Sequence, residues 1–239
     1  MKRFLLIVAL CIACKPAQER QPAKSSAAGP QVRATVVTIR TTVGEKSHDH
    51  TLVIAGDRAR NTGEHDTWRL YDTKANTVTF VDDVERTIRT EPLSAVAARR
   101  RAATAAAIPP QYPRARLVRT NETKPLHGAT AHAVAIESGT YRRELWLAEH
   151  PSIPRGLFAM MHVSDTPASP LAPMMSAVDQ ALANERGFPL VDKATLAGKP
   201  VVERTVTGIV QRDVPEALLV LPKGYKDTTP NVGRASARP

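Results

Sequence analysis

Short segments in which apolar and polar residues alternate, joined by brief polar connections, constrain the fold of this chain more than any other feature. Val37, Ile39 and Val43 alternate with polar neighbours, as in a strand with one buried face. His48-Asp49 has the composition of a turn before a second strand at 51–55. Similar patterns predict strands at 69–72, 77–81, 87–90, 116–119, 131–137, 141–148, 190–195, 201–211 and 218–222, with a hairpin loop at 73–76. Because these strands are short and close in sequence, we predict a mainly β (α+β) fold built on an antiparallel sheet.

Two stretches have helical rather than strand periodicity. Residues 93–107 are rich in alanine, carry apolar residues on one side, and precede Pro109-Pro110, which stops a helix. A second helical region, 155–186, contains the capping pair Ser169-Pro170 and ends before Gly187. Its apolar face is formed by Leu171, Met175, Val178 and Leu182.

The residue totals exclude several kinds of site. Hydrophobic residues make up 42% of the chain, which is typical of a globular domain. Both cysteines, Cys11 and Cys14, lie near the N-terminus, so the domain beyond them has no disulfide, cysteine-based metal site or thiolate nucleophile. The formal net charge is +10, but the basic residues are scattered and aromatic residues make up only 4%. We therefore expect no nucleic-acid partner, and a basic protein of this kind suits an anionic lipid surface.

The first fourteen residues have the order of a bacterial lipoprotein export signal. Two basic residues and an apolar run at 4–13, too short to span a bilayer, precede Cys14, with the small Ala13 at the cut. We therefore predict a signal peptide at 1–13 and acylation of Cys14. Cys11 stands where leucine is usual, so secretion with cleavage nearby and an uncleaved anchor remain alternatives.

Both ends of the remaining chain lack an apolar pattern. Residues 14–31 are rich in Pro, Ala, Ser, Gln and Lys, which predicts a flexible tether with an average reach of about 20–25 Å. Residues 227–239 likewise predict a disordered tail. A single domain is therefore expected at 32–226.

The order of several motifs resembles a family of uncharacterised periplasmic lipoproteins related in architecture to the Lol-type lipoprotein carriers. The closing section has Gly187-Phe188-Pro189-Leu190, a turn at Gly198, a long strand to Ile209 and then the residues 219–225, LVLPKGY. Upstream, the similar segments are a strand at 57–60, a hairpin at 71–73 and a strand at 142–148. The resemblance covers about residues 32–226.

The resemblance implies a strongly curved antiparallel sheet, an incomplete β-barrel whose open face is covered by helices. The carriers use such a cavity for lipid acyl chains, and related families are often assigned no activity. Two departures stand out: Leu219 replaces a common aromatic residue, and the helical region is rich in Met and Pro. Lys15 follows the anchor where Asp would favour inner-membrane retention, which implies an outer-membrane lipoprotein on the periplasmic side.

Four of the five methionines lie in the second helical region. Flexible thioether side chains suit an apolar surface that accepts varied chains. The ligand-binding surface predicted from this cluster consists of Met160, Met161, Leu171, Met174, Met175, Val178 and Leu182. The alternative is that these side chains are ordinary helix core packed against the sheet.

Other candidate sites are weaker. The grouping of His48, Asp49, His50, His65 and Asp66 offers metal-ligand types, but it lacks a third close ligand at a recognisable spacing, so no metal or other cofactor is expected. Residues 99–101 are three arginines that point around more than half of a helix, which favours a solvated face over contact with lipid headgroups or an acidic partner. No motif for nucleophilic, metal-dependent or nucleotide-dependent catalysis occurs.

These observations lead to two hypotheses about function. The first is a membrane-tethered, non-enzymatic lipoprotein of the bacterial envelope that binds a lipid or a lipoprotein acyl chain between curved sheet and helical lid. The second is a structural module that docks another envelope protein and holds no small ligand. The two hypotheses share the lipid anchor and differ in what the sheet and helices enclose.

Overall fold

The computed structural model describes residues 29–62, 66–106, 115–165, 182 and 185–230. Its strands are β1 (Gln31–Val43), β2 (Lys46–Ala55), β3 (Arg58–Thr62), β4 (Thr67–Asp72), β5 (Thr77–Asp82), β6 (Thr87–Pro92), β7 (Arg116–Leu126), β8 (Ala129–Ser138), β9 (Tyr141–Ala148), β10 (Phe188–Leu196), β11 (Lys199–Pro215) and β12 (Lys226–Asp227). The helices are α1 (Leu93–Ala106), α2 (Leu157–Asp165) and a short 3-10 helix, Glu216–Leu219. The prediction of a mainly β protein is confirmed.

All the strands belong to one sheet, in the order β12-β6-β5-β4-β3-β2-β1-β11-β10-β9-β8-β7. Every neighbouring pair is antiparallel except β12 and β6, which are parallel, so the sheet is mixed rather than purely antiparallel. Within the described residues β12 and β7 form two separate edges, and the sheet does not close into a barrel.

Contacts between distant strands are consistent with strong curvature. In a flat sheet, β8 would lie about 14 Å from β11, since neighbouring strands are about 4.8 Å apart. Nevertheless His127, in the turn between β7 and β8, places its Nε2 2.8 Å from the carbonyl oxygen of Val206 on β11. Helix α2 also contacts both β4 and β10, which stand five positions apart in the sheet. One face of the sheet therefore bends around α2.

The central strand β1 is covered on both faces, because the four successive residues Ala34 to Val37 are all buried. We call the face that contacts α2 the interior face; Val37 and Leu52 lie on it with Met160 and Met161 of the helix. The opposite, outer face carries a second cluster that the C-terminal segment covers. Its buried members are Ala34, Val36, Val53, Trp68, Leu70, Val81, Val214 and Leu219.

Several predicted elements need correction. His48 and Asp49 lie inside β2, and the turn instead falls at Gly44 and Glu45, where Gly44 has a φ of +60°. The predicted strand at 218–222 is wrong: its first residues belong to the 3-10 helix, because Leu219 packs on the outer face. Of the predicted tail at 227–239, Asp227 pairs with β6 as part of β12 and the backbone N–H of Thr228 donates to the Ile88 carbonyl, while 231–239 lie outside the described residues.

The described residues include part of each predicted helical region. Helix α1 covers Leu93–Ala106 of the predicted range 93–107, and Ala107 lies outside the described residues. The second region contributes α2, while residues 166–181, including the capping pair Ser169-Pro170, lie outside the described residues, as do 1–28 with Cys14. Among the described helices, none has the length and hydropathy needed to cross a bilayer.

Candidate functional site

Two neighbouring cavities border α2. The smaller, of about 270 Å³, opens between α2 and the interior face, and the larger, of about 890 Å³, lies between α2, the loop after β9 and the segment before β10. Phe158, His162 and Phe188 line both cavities. We call the smaller one the inner cavity. The larger cavity is within the range of about 300–1,000 Å³ that is typical of small-molecule sites, and the inner cavity is slightly smaller than that range.

The inner cavity has mainly apolar walls. Its apolar lining comes from five strands or helices and consists of Ile39, Tyr141, Phe158, Met161, Phe188, Pro189, Ala194, Val201, Val202 and Val206. Pro189 has no N–H and so cannot donate a hydrogen bond to β9. The pairing of β10 with β9 is irregular at this point, with a register shift between Pro189 and Val191. That irregularity lies where β10 passes beneath α2.

A buried ion cluster stands in one wall of the inner cavity. Arg143 on β9 donates two hydrogen bonds to Asp192 on β10, from Nε at 2.7 Å and from Nη2 at 2.8 Å. Both side chains are about 5% exposed or less. Arg204 on β11, whose side chain is 46% exposed, donates to the same carboxylate at 3.3 Å. The three groups carry a net charge of +1.

The carboxyl of Asp192 stays ionised in this setting. Burial raises its pKa, but the charge and hydrogen bonds of Arg143, with smaller contributions from Arg204 and His162, hold the pKa below its ordinary value. A carboxylate fixed in this way is a poor proton donor at neutral pH. The cluster is therefore suited to binding charge rather than to acid–base chemistry.

Other polar groups face the same space. His50 on β2 and Asn61 on β3 also line the inner cavity. The side-chain oxygens of Asn61 and Thr41 are buried and have no hydrogen-bond partner in the described part of the chain. A buried amide oxygen without a partner costs about 1–3 kcal/mol, so Asn61 is a ready acceptor for a donor that enters the cavity.

The residues predicted to bind a ligand are placed unequally. Met160 is 4% exposed and belongs to the core below α2. Met161 belongs to the same core and also lines the inner cavity. Leu182 is buried and lines the larger cavity. The remaining four, Leu171, Met174, Met175 and Val178, lie outside the described residues.

The metal-like grouping is divided by the fold. His48 and His50 share one face of β2, with ring centroids 6.1 Å apart. Asp49 points the other way and forms a two-bond ion pair with Arg40 on β1. Within the described residues no three metal-ligating side chains come together, and His65 is not among those residues.

The three arginines of α1 do not form a simple solvated face. Arg99 pairs with the buried carboxylate of Glu91 on β6, and Arg100 donates to the carbonyl oxygen of His162 at 3.3 Å. Arg99 and Arg101 are exposed, as a solvated face predicts, and Arg100 is half-buried. Two of the three arginines therefore connect α1 to its neighbours, a role that helical spacing alone does not predict.

The ion cluster was not predicted from the sequence, although a signal exists. Arg143, Asp192 and Arg204 occupy inward positions in the alternation of three consecutive strands of the sheet, where apolar residues are expected. A charge at an inward position needs a partner, since an isolated buried charge is very costly. Two opposite charges at inward positions of neighbouring strands therefore indicate a buried pair.

Comparison with known proteins gives only distant similarities. No family model and no curated protein matches the chain. Two crystal forms of PNGF-II align with 84% and 83% of this chain, at 10% and 12% identity and TM-scores of 0.46 and 0.44. The chain spans about a third of the length of PNGF-II, with 31% and 32% covered.

The third similarity bears on the resemblance to Lol-type carriers. A LolA superfamily protein from Nitrosomonas europaea aligns over 81% of this chain and 91% of its own, at 8% identity and a TM-score of 0.29. At this identity and TM-score the likeness does not assign the chain to that superfamily. None of these alignments carries an argument about function, which must come from the cavities themselves.

Proposed function

We propose that this chain is a non-enzymatic binding protein of the bacterial envelope, which holds a hydrophobic ligand between the interior face and α2. The observation that carries the proposal is the inner cavity, whose walls are mainly apolar although it opens beside charged groups. Apolar surface gains about 25 cal/mol for each Å² that a ligand removes from water. An apolar chain placed under α2 would obtain that gain.

In this proposal the protein acts at a membrane. Acylation of Cys14 would anchor it in the outer membrane, and residues 14–31 would act as the tether between the lipid and β1. The ligand would then be a lipid or the acyl chain of another lipoprotein, which the domain could accept close to the bilayer. Helix α2 would serve as the lid.

Mass spectrometry of lipids that copurify with the folded protein tests the proposal. We expect a stoichiometric lipid in the wild type and its loss in Val202→Phe, because Val202 lines the inner cavity and is only partly buried. Val210→Phe is the matched control, since Val210 lies on the same strand and is 54% exposed. A wild-type protein without lipid, and without saturable uptake of an added one, would contradict the proposal.

The second candidate function, docking of an envelope protein, is favoured by a groove of about 770 Å³ on the outer face. Arg60 stacks over the Trp68 ring there at 3.9 Å, and Val220 beside them is 46% exposed. Tryptophan and arginine are enriched at protein interfaces. Crosslinking in cells distinguishes the two functions: a stoichiometric protein adduct without bound lipid would favour docking.

A further inference from the structure

We infer that the ligand of the inner cavity is an anionic amphiphile, whose head is bound by Arg204. This inference rests on the proposed function, in which the ligand has an apolar chain, and adds that the ligand also carries a negatively charged head group. The polar groups that face the inner cavity come from six elements. They are His50 on β2, Asn61 on β3, Arg143 on β9, His162 on α2, Asp192 on β10 and Arg204 on β11.

The charges of these groups do not balance. Asp192 is the only carboxylate among the described residues that line the inner cavity, and it faces two guanidinium groups. The two histidines can add positive charge but no negative charge. The uncompensated positive charge therefore lies beside the apolar cavity, where an anionic group could form charge-assisted hydrogen bonds with it.

Arg204 rather than Arg143 is the group available to that anion. Arg143 is committed to Asp192 through two bonds at 2.7 and 2.8 Å and is almost fully buried. Arg204 makes one longer bond of 3.3 Å, and its half-exposed side chain stands at the mouth of the inner cavity. Its other N–H groups have no hydrogen-bond partner within the described part of the chain, so they can donate to a ligand.

The position of Arg204 orients the ligand. Val202 and Val206, two residues away on either side of Arg204 along β11, line the same cavity, and so do Ile39 and Phe188. An anionic head at the guanidinium would therefore leave its apolar chain against these side chains and α2. Carboxylate and phosphate monoester heads share this chemistry, since arginine forms paired hydrogen bonds with both.

Binding of three amphiphiles with the same chain tests the inference: dodecanoate, dodecyl phosphate and dodecanol, measured by calorimetry on the full chain. We expect one or both anions to bind the wild type at least tenfold more tightly than the alcohol, and their ranking identifies the head. Arg204→Gln should remove this preference and leave the affinity for dodecanol unchanged. Arg212→Gln is the matched control, because Arg212 is exposed on the same strand and lines neither cavity.

Each outcome decides one of the two claims. Equal affinity for the alcohol and the anions would overturn the anionic head while leaving a hydrophobic ligand in place. An equal loss of affinity for all three amphiphiles in Arg204→Gln would also overturn it, because Arg204 would then support the cavity rather than the head. If none of the three bound, the proposed function itself would fall, and the inference with it.

Discussion

Removal of the Arg143 side chain should be among the most damaging single substitutions in this protein. In Arg143→Met, the carboxylate of Asp192 would keep its burial but lose the two short hydrogen bonds that compensate it. The remaining bond, from Arg204 at 3.3 Å, comes from a half-exposed side chain. Breaking one side of a buried ion pair costs about 3–5 kcal/mol, because an uncompensated charge stays behind.

This cost can be measured by urea denaturation followed by circular dichroism. Domains of this size have a free energy of unfolding of about 5–15 kcal/mol, so a loss of about 3–5 kcal/mol should lower the urea midpoint strongly. The double variant Arg143→Met/Asp192→Leu should recover much of the loss, since it removes both charges and leaves apolar groups of similar size. That recovery separates an unpaired charge from a simple packing defect.

The pair Arg40–Asp49 supplies a matched control with the same geometry and different burial. It also joins neighbouring strands through two hydrogen bonds, of 2.8 and 3.0 Å, but its side chains are 54% and 46% exposed. Arg40→Met should therefore lower the urea midpoint far less than Arg143→Met. Equal effects of the two substitutions would refute the claim that burial makes the inner pair important.

Three further predictions use the same denaturation assay. Leu157→Ala should cost about 2–5 kcal/mol, because Leu157 is fully buried where α2 meets the sheet; a loss below 1 kcal/mol would mean that α2 is not packed there. The pKa of Asp192 is lower in the folded protein than in the unfolded chain, so unfolding takes up a proton in acid. The free energy of unfolding should therefore decrease as the pH falls below about 4, and it should decrease less steeply in Asp192→Asn. Gly187→Ala should destabilise the protein more than Gly44→Ala. Both glycines have a positive φ, but only at Gly187 would a Cβ lie 3.0 Å from the Ala148 backbone. Similar losses in the free energy of unfolding would contradict this close approach.

The alternation of side chains predicted most of the sheet because most strands bury one apolar residue in two. It failed at β3, whose inward residues are Ala59 and Asn61, one small and one polar. Only the motif resemblance pointed to a strand there. It also failed at 218–222, since a short apolar run fits a strand and a 3-10 helix equally well. The packing of Leu219 on the outer face decides between them.

The site was harder to predict than the fold. The inner cavity gathers residues from β1, β2, β3, β9, β10, β11 and α2, and no local pattern indicates which of them meet. The methionine pattern drew attention to Met161, which lines the inner cavity, but it gave no information about Arg204. The charge imbalance depends on three strands coming into register, which becomes visible only in the folded sheet.

Photocrosslinking with a fatty acid that carries a diazirine in its chain tests the central claim most directly. After irradiation of the saturated protein, peptide mass spectrometry should locate the adducts on α2, around Phe158 and Met161, and on the inner-cavity residues of β10 and β11. Unlabelled dodecanoate should suppress these adducts. Adducts concentrated on the outer face near Trp68, or labelling that no competitor reduces, would contradict a ligand held between the curved sheet and α2.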